Sequence, residues 1–499
     1  MVLTAGWFEE GKNAKQLMRK GLAETVLAGG YCIGCGACAS VRGAAYAVGF
    51  NAGGMYEAKL KDETGGGGGD VLAAAKVCPF SDEAANEDEL AERLLGDADK
   101  SDPALGRYLG TYAGHVAEGP YRKRGSSGGG VSWLLVQLME AGVVDGVVHV
   151  KPNPAGSEGG ALFTYAISRT AEEVANGAKS RYYPVEISKV VEEVRGAAGR
   201  FAFVGVPCFV KALRLLCEAD EELKGKFAVL IGIVCGHLKS SRYADMFSWQ
   251  LGIAPGKLRG IDFRVKTPGF HASSYSIEAK GVINDELVVV RAPAHVLFGY
   301  DWGEGFFKYK ACDFCDDVFA ETADVTFGDA WLEGYDEDWR GANVVVVRNR
   351  QVGEIMERGI ASGALAMEAI SAELCAQSQA AGLRHRRGGL SFRLEQADGA
   401  GAWRPAKRVR ATSEGLTRQE RKKFALRRQM ADLSHEAFQS AVAGEDFGIF
   451  TKTMGPMIAR YRKSVLPTFE ERALRMMRRV IGRWKVKLGI RSGASNGRR

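Results

Sequence analysis

The chain has 499 residues, of which 46% are hydrophobic and 25% are charged, and its 67 Lys and Arg residues outnumber its 60 Asp and Glu residues. This size allows two or three domains with separate hydrophobic cores, and 64 glycines against 13 prolines indicate tight turns rather than disorder. No stretch approaches the roughly 18 apolar residues of a membrane span, and residues 1–4 lack the basic-then-apolar pattern of a signal peptide. We therefore expect a cytoplasmic protein.

Four cysteines in the first hundred residues predict an iron-sulfur site. A C-x2-C-x2-C run is followed forty residues later by a Cys-Pro pair, which gives the set Cys32, Cys35, Cys38 and Cys78. Gly34 and Gly36 let the backbone of the run turn tightly, so three thiolates can surround one [4Fe-4S] cluster while the distant cysteine supplies the fourth. Residues 42–43 lack the Cys-Pro that a two-cluster motif would have. A zinc site or free thiols are the alternatives.

Hydrophobic runs alternate with helical patterns after the cysteine run. Strands are predicted over 143–150, 201–204, 227–234, 286–291, 323–327 and 343–347. Helices are predicted over 131–141, over most of 171–193, and from the end of the second strand to residue 216. This alternation predicts an α/β domain between about residues 105 and 370. The glycine run 65–69 is predicted to be a flexible loop tip.

A second group of cysteines is dispersed over this region and consists of Cys208, Cys235, Cys312 and Cys315. Cys208 and Cys235 each follow the carboxyl end of a predicted strand, which is the edge where open α/β sheets place their ligands. The four residues could therefore close a second cluster. Alternatively, these two are buried small hydrophobic residues and the C-x2-C pair is half of a zinc site. The remaining cysteines, Cys217 and Cys375, lie in helical patterns and are predicted to be packing residues. Because the cytoplasm keeps thiols reduced, ten cysteines indicate metal ligation rather than disulfides.

A small-residue segment, Arg-Gly-Ser-Ser-Gly-Gly-Gly at 124–130, runs directly into the helix predicted over 131–141. Small residues allow close backbone approach, and the amino end of a helix offers unpaired N–H groups, so a phosphate or pyrophosphate could bind there. The alternative is a flexible loop, because no strand precedes the segment in the arrangement of a dinucleotide-binding motif.

The order of the short motifs is similar to that of a known family. After CIGCGAC at 32–38 and the Ser-Gly segment come Ser-Arg-Tyr at 180–182, GVPC at 205–208, VCGH at 234–237 and FRVK at 263–266. CDFC at 312–315 and ADVTFGDAW at 323–331 complete the order. Over about residues 30–350 the chain resembles the coenzyme F-420 hydrogenase/dehydrogenase beta-subunit family.

The resemblance implies a flavin-binding α/β domain at 101–370 that carries FAD, preceded by a ferredoxin-like segment at 1–100. It also implies that the dispersed cysteines hold a second [4Fe-4S] cluster. Arg264 and Lys266 match a pair of basic residues of the family. The loop that would bind the flavin phosphates consists of Ser126, Ser127, Gly128 and Gly129. Two departures lie near expected flavin or substrate contacts. The chain has Cys235-Gly236-His237 where the family more often has Cys-His-Gly, and Arg181-Tyr182 where it has Lys-Tyr.

The function that the resemblance implies is that of an oxidoreductase. Iron-sulfur clusters pass single electrons, whereas flavin exchanges one or two, so FAD would connect a ferredoxin or partner subunit to a small-molecule substrate or a deazaflavin coenzyme. The sequence assigns no catalytic residue. One alternative is a non-catalytic electron-transfer subunit of a larger complex, for instance one linked to polysaccharide synthesis. Another is a zinc-stabilised structural protein without redox cofactors.

The last part of the chain, 371–499, is predicted to be a mainly helical basic extension. Residues 403–499 contain 24 Lys and Arg against 8 Asp and Glu, a local charge of +16. Within it, 469–488 has apolar residues at helical spacing with seven Lys and Arg on the other faces. Such a helix could lie on an anionic membrane surface at the inner face, or dock on the body or on a partner. Nucleic-acid binding is disfavoured, because charge alone provides no readout motif.

Overall fold

The computed structural model describes residues 21–61, 70–154 and 160–465. The predicted glycine loop 65–69 and the predicted basic helix 469–488 lie outside the described residues. The strands are β1 Tyr46–Phe50, β2 Tyr56–Leu60, β3 Lys100–Asp102, β4 Gly106–Tyr108, β5 Gly110–Val116, β6 Gly146–Pro152, β7 Phe163–Ser168, β8 Phe201–Gly205, β9 Phe227–Ile233, β10 Leu258–Val265, β11 Ser276–Ile283, β12 Glu286–Pro293, β13 Val325–Asp329, β14 Asn343–Val347 and β15 Leu365–Ala369.

The helices follow the same alternation and then continue without strands. They are α1 Val71–Lys76, α2 Glu87–Leu94, α3 Tyr121–Arg124, α4 Gly130–Glu140, α5 Ala171–Asn176, α6 Ser188–Gly196, α7 Pro207–Ala219, α8 Arg242–Gln250, α9 Arg350–Ala361, α10 Ala372–Gln377, α11 Ala380–Arg386, α12 Gly388–Gly399, α13 Arg418–Ala443 and α14 Phe447–Val465. Across the described residues, none of these helices has the length and apolar character that crossing a bilayer demands.

An eight-stranded sheet in the order β15-β5-β14-β13-β9-β8-β6-β7 forms the centre of the fold. The four strands β6, β8, β9 and β13 run parallel, and antiparallel strands extend the sheet on both sides. Helices cover both faces, with α4 and α9 on one and α6 and α7 on the other. The parallel strands are buried on both faces, which explains their nearly continuous apolar sequences. The α/β class predicted from the sequence is confirmed.

Most predicted strands belong to this sheet, but the one at 286–291 does not. That segment is β12, an edge strand of a separate antiparallel sheet in the order β10-β11-β12. Side chains on one side of β12, including Leu287 and Val289, are exposed, and α8, α13 and α14 share the hydrophobic cluster of this small sheet. The alternating burial of β12 fits an antiparallel strand with one solvated face rather than a buried parallel strand.

The continuous helix expected over most of 171–193 is wrong in its middle. Helix α5 ends at Asn176, α6 begins at Ser188, and the intervening chain has no regular secondary structure. Pro184 restricts the residue before it to extended conformations and has no N–H to donate. The buried side chain of Ile187 fixes this segment to the core. The break brings the Ser-Arg-Tyr motif to the carboxyl edge of the main sheet.

One hydrophobic core joins all three parts of the chain that the sequence distinguished. It contains Tyr46 from β1, Ile187, Phe209 from α7 and Leu390 from α12, each about 1% exposed or less. The cysteines of the N-terminal run belong to the same cluster as Cys208 and Cys315. The N-terminal segment and α12 therefore pack on the same side of the sheet.

Arg408 forms an ionic junction within this assembly. Its guanidinium pairs with Glu321 at 2.7 and 3.0 Å, with Asp88 at 2.8 Å and with Asp316 at 3.3 Å, and it lies 3.6 Å from Glu87. Except for Asp88, these carboxylate side chains are at most 7% exposed. Buried carboxylates are costly without a counter-charge, so the arginine ties the C-terminal part of the chain to α2 and to the loop before β13.

We predict that Arg408→Ala lowers the free energy of unfolding by about 3–5 kcal/mol, because three buried carboxylates lose their shared counter-ion. The matched control is Arg404→Ala, which removes an arginine paired with the exposed Asp398 and should change stability little. Urea unfolding followed by far-ultraviolet circular dichroism measures both. Equal effects of the two substitutions would contradict the role of Arg408.

Candidate functional site

The first quartet is Cys32, Cys35, Cys38 and Cys78. The run lies between a helical turn, Ala23–Leu27, and β1, and Cys78 lies just after α1. The four thiols are close enough to interact electrostatically with one another. The structure therefore brings together the four residues that sequence spacing proposed as one set.

Glycine backbone conformation shapes the cysteine loop. Gly34 and Gly36 have φ values of 65° and 88°, and a Cβ at Gly34 would lie 2.3 Å from the carbonyl oxygen of Tyr56. The N–H groups of Gly34 and Ala58 donate to Cys32 Sγ at 3.3 and 3.4 Å. Hydrogen bonds to cysteine sulfur are one of the means by which proteins tune iron-sulfur groups.

A cavity adjoins the first quartet and is lined by all four of its cysteines. It contains about 370 Å³ of space outside protein atoms, part of which is open solvent. The other lining residues are glycine, aromatic or aliphatic, among them Val26, Ile33 and Phe80. The site is therefore a space whose polar ligands are thiols, in apolar surroundings.

The second quartet is Cys208, Cys235, Cys312 and Cys315. The first residue of this set lies in the first turn of α7 after β8, and Cys235 follows β9, so both lie at the carboxyl edge of parallel strands. The C-x2-C pair lies in and just after the 3₁₀ turn Lys310–Phe314, and the N–H of Leu238 donates to Cys312 Sγ at 3.2 Å. All four thiols interact electrostatically.

Burial keeps these thiols protonated as long as nothing is bound to them. Burial raises the pKa of Cys78 and of Cys235 to about 12, and that of Cys312 to about 11. Burial, followed by the neighbouring thiols, also raises the pKa of Cys38 and of Cys208 well above its usual range. Four thiolates in one apolar site are unfavourable without a cation, so binding of a metal group would release protons. All ten cysteines are free of disulfides.

Within the described ranges, no group of three or more His, Cys, Asp or Glu side chains is placed to hold a single ion. Four cysteine donors are chemically suited to zinc as well as to an iron-sulfur cluster. Tetrahedral zinc requires four sulfurs at about 2.3 Å from one point, whereas a cubane distributes its four thiolates over separate irons. The donor set of four cysteines fits a [4Fe-4S] cluster in each quartet.

Tyr165 lies between the quartets and was not identified from the sequence. This β7 residue is 6% exposed, donates its hydroxyl to the carbonyl of Val204 at 3.1 Å, and interacts electrostatically with Cys208 and Cys35. Its ring stacks on Phe203 with centroids 5.2 Å apart. An aromatic residue in a strand carries no sequence signal that distinguishes it from ordinary core packing.

The Ser-Gly segment is well ordered by hydrogen bonds. Ser126 Oγ accepts from the N–H of Ser180 at 2.9 Å, which joins the segment to the Ser-Arg-Tyr motif. Ser127 Oγ donates to the carbonyl of Ala342 at 2.8 Å, and the N–H of Gly130 donates to Asn343 Oδ1 at 3.1 Å. These bonds hold the start of α4 at the carboxyl edge of the sheet, beside β13 and β14. The segment is thus joined by hydrogen bonds both to the Ser-Arg-Tyr motif and to β14.

Close packing accounts for the glycines of the segment. A Cβ at Gly128 would lie 2.6 Å from Asn343 Oδ1, and one at Gly130 would lie 2.5 Å from the ring of Phe327. Gly129 has a φ of 87°, and a Cβ there would lie 2.6 Å from the backbone nitrogen of Arg122. The glycines are thus required by the protein's own packing, whether or not a ligand also approaches them.

Basic side chains surround this segment. Lys266 Nζ donates to the carbonyls of Arg122 and Ser127 at 2.5 and 2.9 Å. Burial lowers the pKa of Lys266 to about 7, and the nearby charges of Arg264, Arg122 and Lys179 act in the same direction. A lysine held among other cations in a partly dry site is poised to gain a proton when an anion binds.

The two arginines expected near the flavin have different surroundings. Arg264 is 5% exposed and forms a two-point ion pair with Asp329 at 2.8 and 3.1 Å. Arg181 lies over the ring of Phe163 at 4.8 Å, and its buried Nε has no hydrogen-bond partner among the described residues. Arg181 therefore has a donor left for a ligand, whereas the charge of Arg264 is already paired.

Packing explains the order Cys235-Gly236-His237, which differs from the Cys-His-Gly order given above. A Cβ at Gly236 would lie 2.5 Å from Nε1 of Trp302. The ring of His237 stacks on Trp302 with centroids 4.3 Å apart, and its buried Nε2 has no partner in the part of the chain that the structure describes. Burial, followed by Lys239, lowers the pKa of His237 well below its usual range, so this imidazole is neutral at pH 7.

The two cysteines predicted to be packing residues lie away from the quartets. Cys217 is partly buried on α7 at the margin of the main core, and Cys375 is fully buried on α10 in a different hydrophobic cluster. Neither is among the strongest electrostatic partners of the quartet thiols.

We predict that Gly129→Ala destabilises the protein more than Gly142→Ala. Both glycines have positive φ, which costs an L-residue about 1–2 kcal/mol, but a Cβ at Gly142 meets nothing within 4 Å. The clash with Arg122 at Gly129 adds about 1–3 kcal/mol of overpacking. Urea unfolding of both variants measures the difference, and equal destabilisation would show that close packing at Gly129 does not matter.

Two protein-family models match the chain, and both describe the beta subunit of coenzyme F420 hydrogenase/dehydrogenase. The model of its N-terminal part matches residues 111–192, and the model of its C-terminal part matches residues 198–373. Together they cover slightly more than half of the chain.

Comparison with solved structures finds a chain of the F420-reducing [NiFe] hydrogenase complex from Methanosarcina barkeri, studied as a xenon derivative. It is 17% identical with a TM-score of 0.45, and the match covers 62% of this chain and 98% of that chain. No curated protein matches significantly. On the strength of the two family models, the chain belongs to the coenzyme F420 hydrogenase/dehydrogenase beta-subunit family.

Proposed function

We propose that the chain is an iron-sulfur flavoprotein oxidoreductase with two [4Fe-4S] clusters and FAD. It passes electrons between a ferredoxin-like donor or partner subunit and a small-molecule substrate or deazaflavin coenzyme. Membership of a family of redox-enzyme subunits supports the reaction class. Bound clusters would supply single-electron transfer, and bound FAD would exchange one or two electrons.

The observation that carries this proposal is the proximity of two complete cysteine quartets, of which six cysteines belong to one hydrophobic core. Cys35 of the first quartet interacts electrostatically with Cys208 of the second, and Tyr165 interacts with both. Two sets of four cysteines match the ligand requirement of two cubanes. Proximity of two redox groups is what stepwise electron transfer requires, whereas a structural zinc protein gains nothing from it.

The two quartets lie in different parts of the fold. The first belongs to the N-terminal segment, where a cavity adjoins it. In the second quartet, Cys235, Cys312 and Cys315 are each at most 9% exposed and lie near the carboxyl edge of the sheet. The residues of the first quartet are therefore proposed to receive electrons from a partner, and those of the second to face the flavin side.

The Ser-Gly segment and its basic neighbours are proposed to hold the phosphates of FAD. The amino end of α4 provides backbone N–H groups, and Lys266 and Arg181 provide positive charge beside them. The buried Arg181 Nε without a partner among the described residues supports an anionic ligand at this place. Arg264, already paired with Asp329, contributes charge and positions β10 rather than offering a free donor.

Metal analysis of anaerobically purified protein tests the proposal. We expect about eight irons, about eight acid-labile sulfides and one FAD per chain. Cys32→Ser and Cys312→Ser should each lower the iron content to about four, because each removes one ligand of a different quartet. Cys217→Ser is the matched control, since this cysteine lies outside both quartets, and should leave the iron content unchanged.

The same analysis distinguishes the alternatives. Zinc without iron or flavin would refute the redox proposal, and wild-type protein with about four irons would leave one quartet without a cluster. An electron-transfer subunit without its own catalysis would show the full cofactor content but reduce only artificial acceptors.

We further predict that FAD affinity depends on the protonation of Lys266. Because the pKa of Lys266 is lowered to about 7, raising the pH through 7 removes its charge, and FAD binding to flavin-free protein should weaken about tenfold by about pH 8.5. Lys266→Arg keeps the charge at every pH and should abolish this dependence. Fluorescence titration with FAD from about pH 6 to 8.5 measures it, and identical pH profiles of both proteins would rule out the role of Lys266.

A further inference from the structure

Arg386, the last residue of α11, lies next to the second quartet although it comes from the C-terminal part of the chain. Its Nη2 donates to the carbonyl of Gly236 at 2.8 Å and to that of Cys235 at 3.2 Å. The residue is 2% exposed. It follows the end of the matched family region, residue 373, by thirteen positions.

The guanidinium of Arg386 is only partly satisfied by protein groups. Its Nε and Nη1 are buried and have no hydrogen-bond partner among the described residues. A buried cation with two unused donors is unfavourable unless an anionic group lies close to it. Burial by itself lowers the pKa of Arg386, but the four thiols of the second quartet, Cys315 most strongly, raise it above its usual range.

Two further buried cations lie near the second quartet. Lys308 interacts with Cys312 and is paired with Asp313 at 2.6 Å. Lys407, which like Arg386 comes from the C-terminal part of the chain, has a side chain that is 5% exposed and interacts with Cys315. Asp316 lies 3.8 Å from Lys407 and takes up part of that charge.

We propose that Arg386 is the counter-charge of the metal group held by the second quartet, so that the C-terminal extension sets the reduction potential of that group. This inference rests on the proposed function. Reduction adds one electron and one negative charge to the group, and no bond forms or breaks. A fixed buried cation stabilises the more negative state, so it raises the reduction potential.

Redox titration of the reconstituted full-length protein, followed by electron paramagnetic resonance, tests this inference. Cys32→Ser and Cys312→Ser identify which signal belongs to which quartet. We expect Arg386→Gln to lower the midpoint potential of the second quartet by at least about 59 mV, which is a tenfold change in the reduction equilibrium of a one-electron couple. The first quartet provides an internal control and should keep its potential.

Three further variants separate charge from packing. Arg386→Lys keeps the charge and should shift the potential much less than the glutamine variant. Arg393 is another buried arginine, which donates to the carbonyls of Asp313 and His385 and lies 3.6 Å from the Asp313 carboxylate. Arg393→Gln should also shift the midpoint potential of the second quartet little. Lys407→Gln should lower the potential in the same direction by a smaller amount, and remains informative if Arg386→Gln does not fold.

Equal shifts for the glutamine and lysine variants, equal shifts of both quartets, or no shift in Arg386→Gln and Lys407→Gln would overturn the inference. Failure of the proposed function is distinct, because wild-type protein would then show no second-quartet signal and too little iron.

Discussion

The burial of eight thiols in two neighbouring sets is the constraint on which the rest of this structure depends. A thiol in such a place is stable when protonated, but four neighbouring thiolates are not, because desolvation and mutual repulsion both oppose their charge. Six of the eight cysteines, all except Cys235 and Cys312, belong to the main hydrophobic core. This arrangement becomes favourable when each set binds a cationic metal group. The free energy of metal binding then contributes to the free energy of folding.

Buried charges elsewhere in the core also need counter-charges. Arg408 joins carboxylates from α2 and from the loop after the second quartet, and Lys211 on α7 pairs with Glu87 at 3.2 Å. Lys211 also interacts with Cys78 of the first quartet. The N-terminal segment, the sheet and the C-terminal helices are thus connected through ion pairs as well as through apolar contacts. Removing one member leaves buried charges unpaired, which is why such junctions matter more than surface ion pairs.

The carboxyl edge of the main sheet provides the second organising feature. The ends of β8, β9 and β13 and the start of α4 meet there, so the second quartet and the Ser-Gly segment lie on one side of the fold. Ligands of open α/β sheets bind at this edge because the strands end there and loops can diverge. Basic residues surround the segment at this edge, and burial among them lowers the pKa of Lys266 to about 7.

The sequence by itself determined five of the eight strands of the main sheet and the α/β class, and it proposed the two cysteine sets; β5, β7 and β15 were not predicted. Strands such as Asn343–Val347 are apolar throughout because both faces are buried, and this is a strong local signal. The spacing of Cys32, Cys35 and Cys38 is local as well, so one turn brings these three thiols together. Chain order and motif resemblance then identified the dispersed set.

Only the tertiary structure decided which distant residues complete the site. Arg386 and Tyr165 reach the quartets through the packing of α11 and β7, and neither belongs to a pattern that is periodic in the sequence. The pairing of Arg264 with Asp329 likewise depends on a contact between residues far apart along the chain. Electrostatic balance is set by distances in space, so a sequence can name the thiols but not the cations that compensate them.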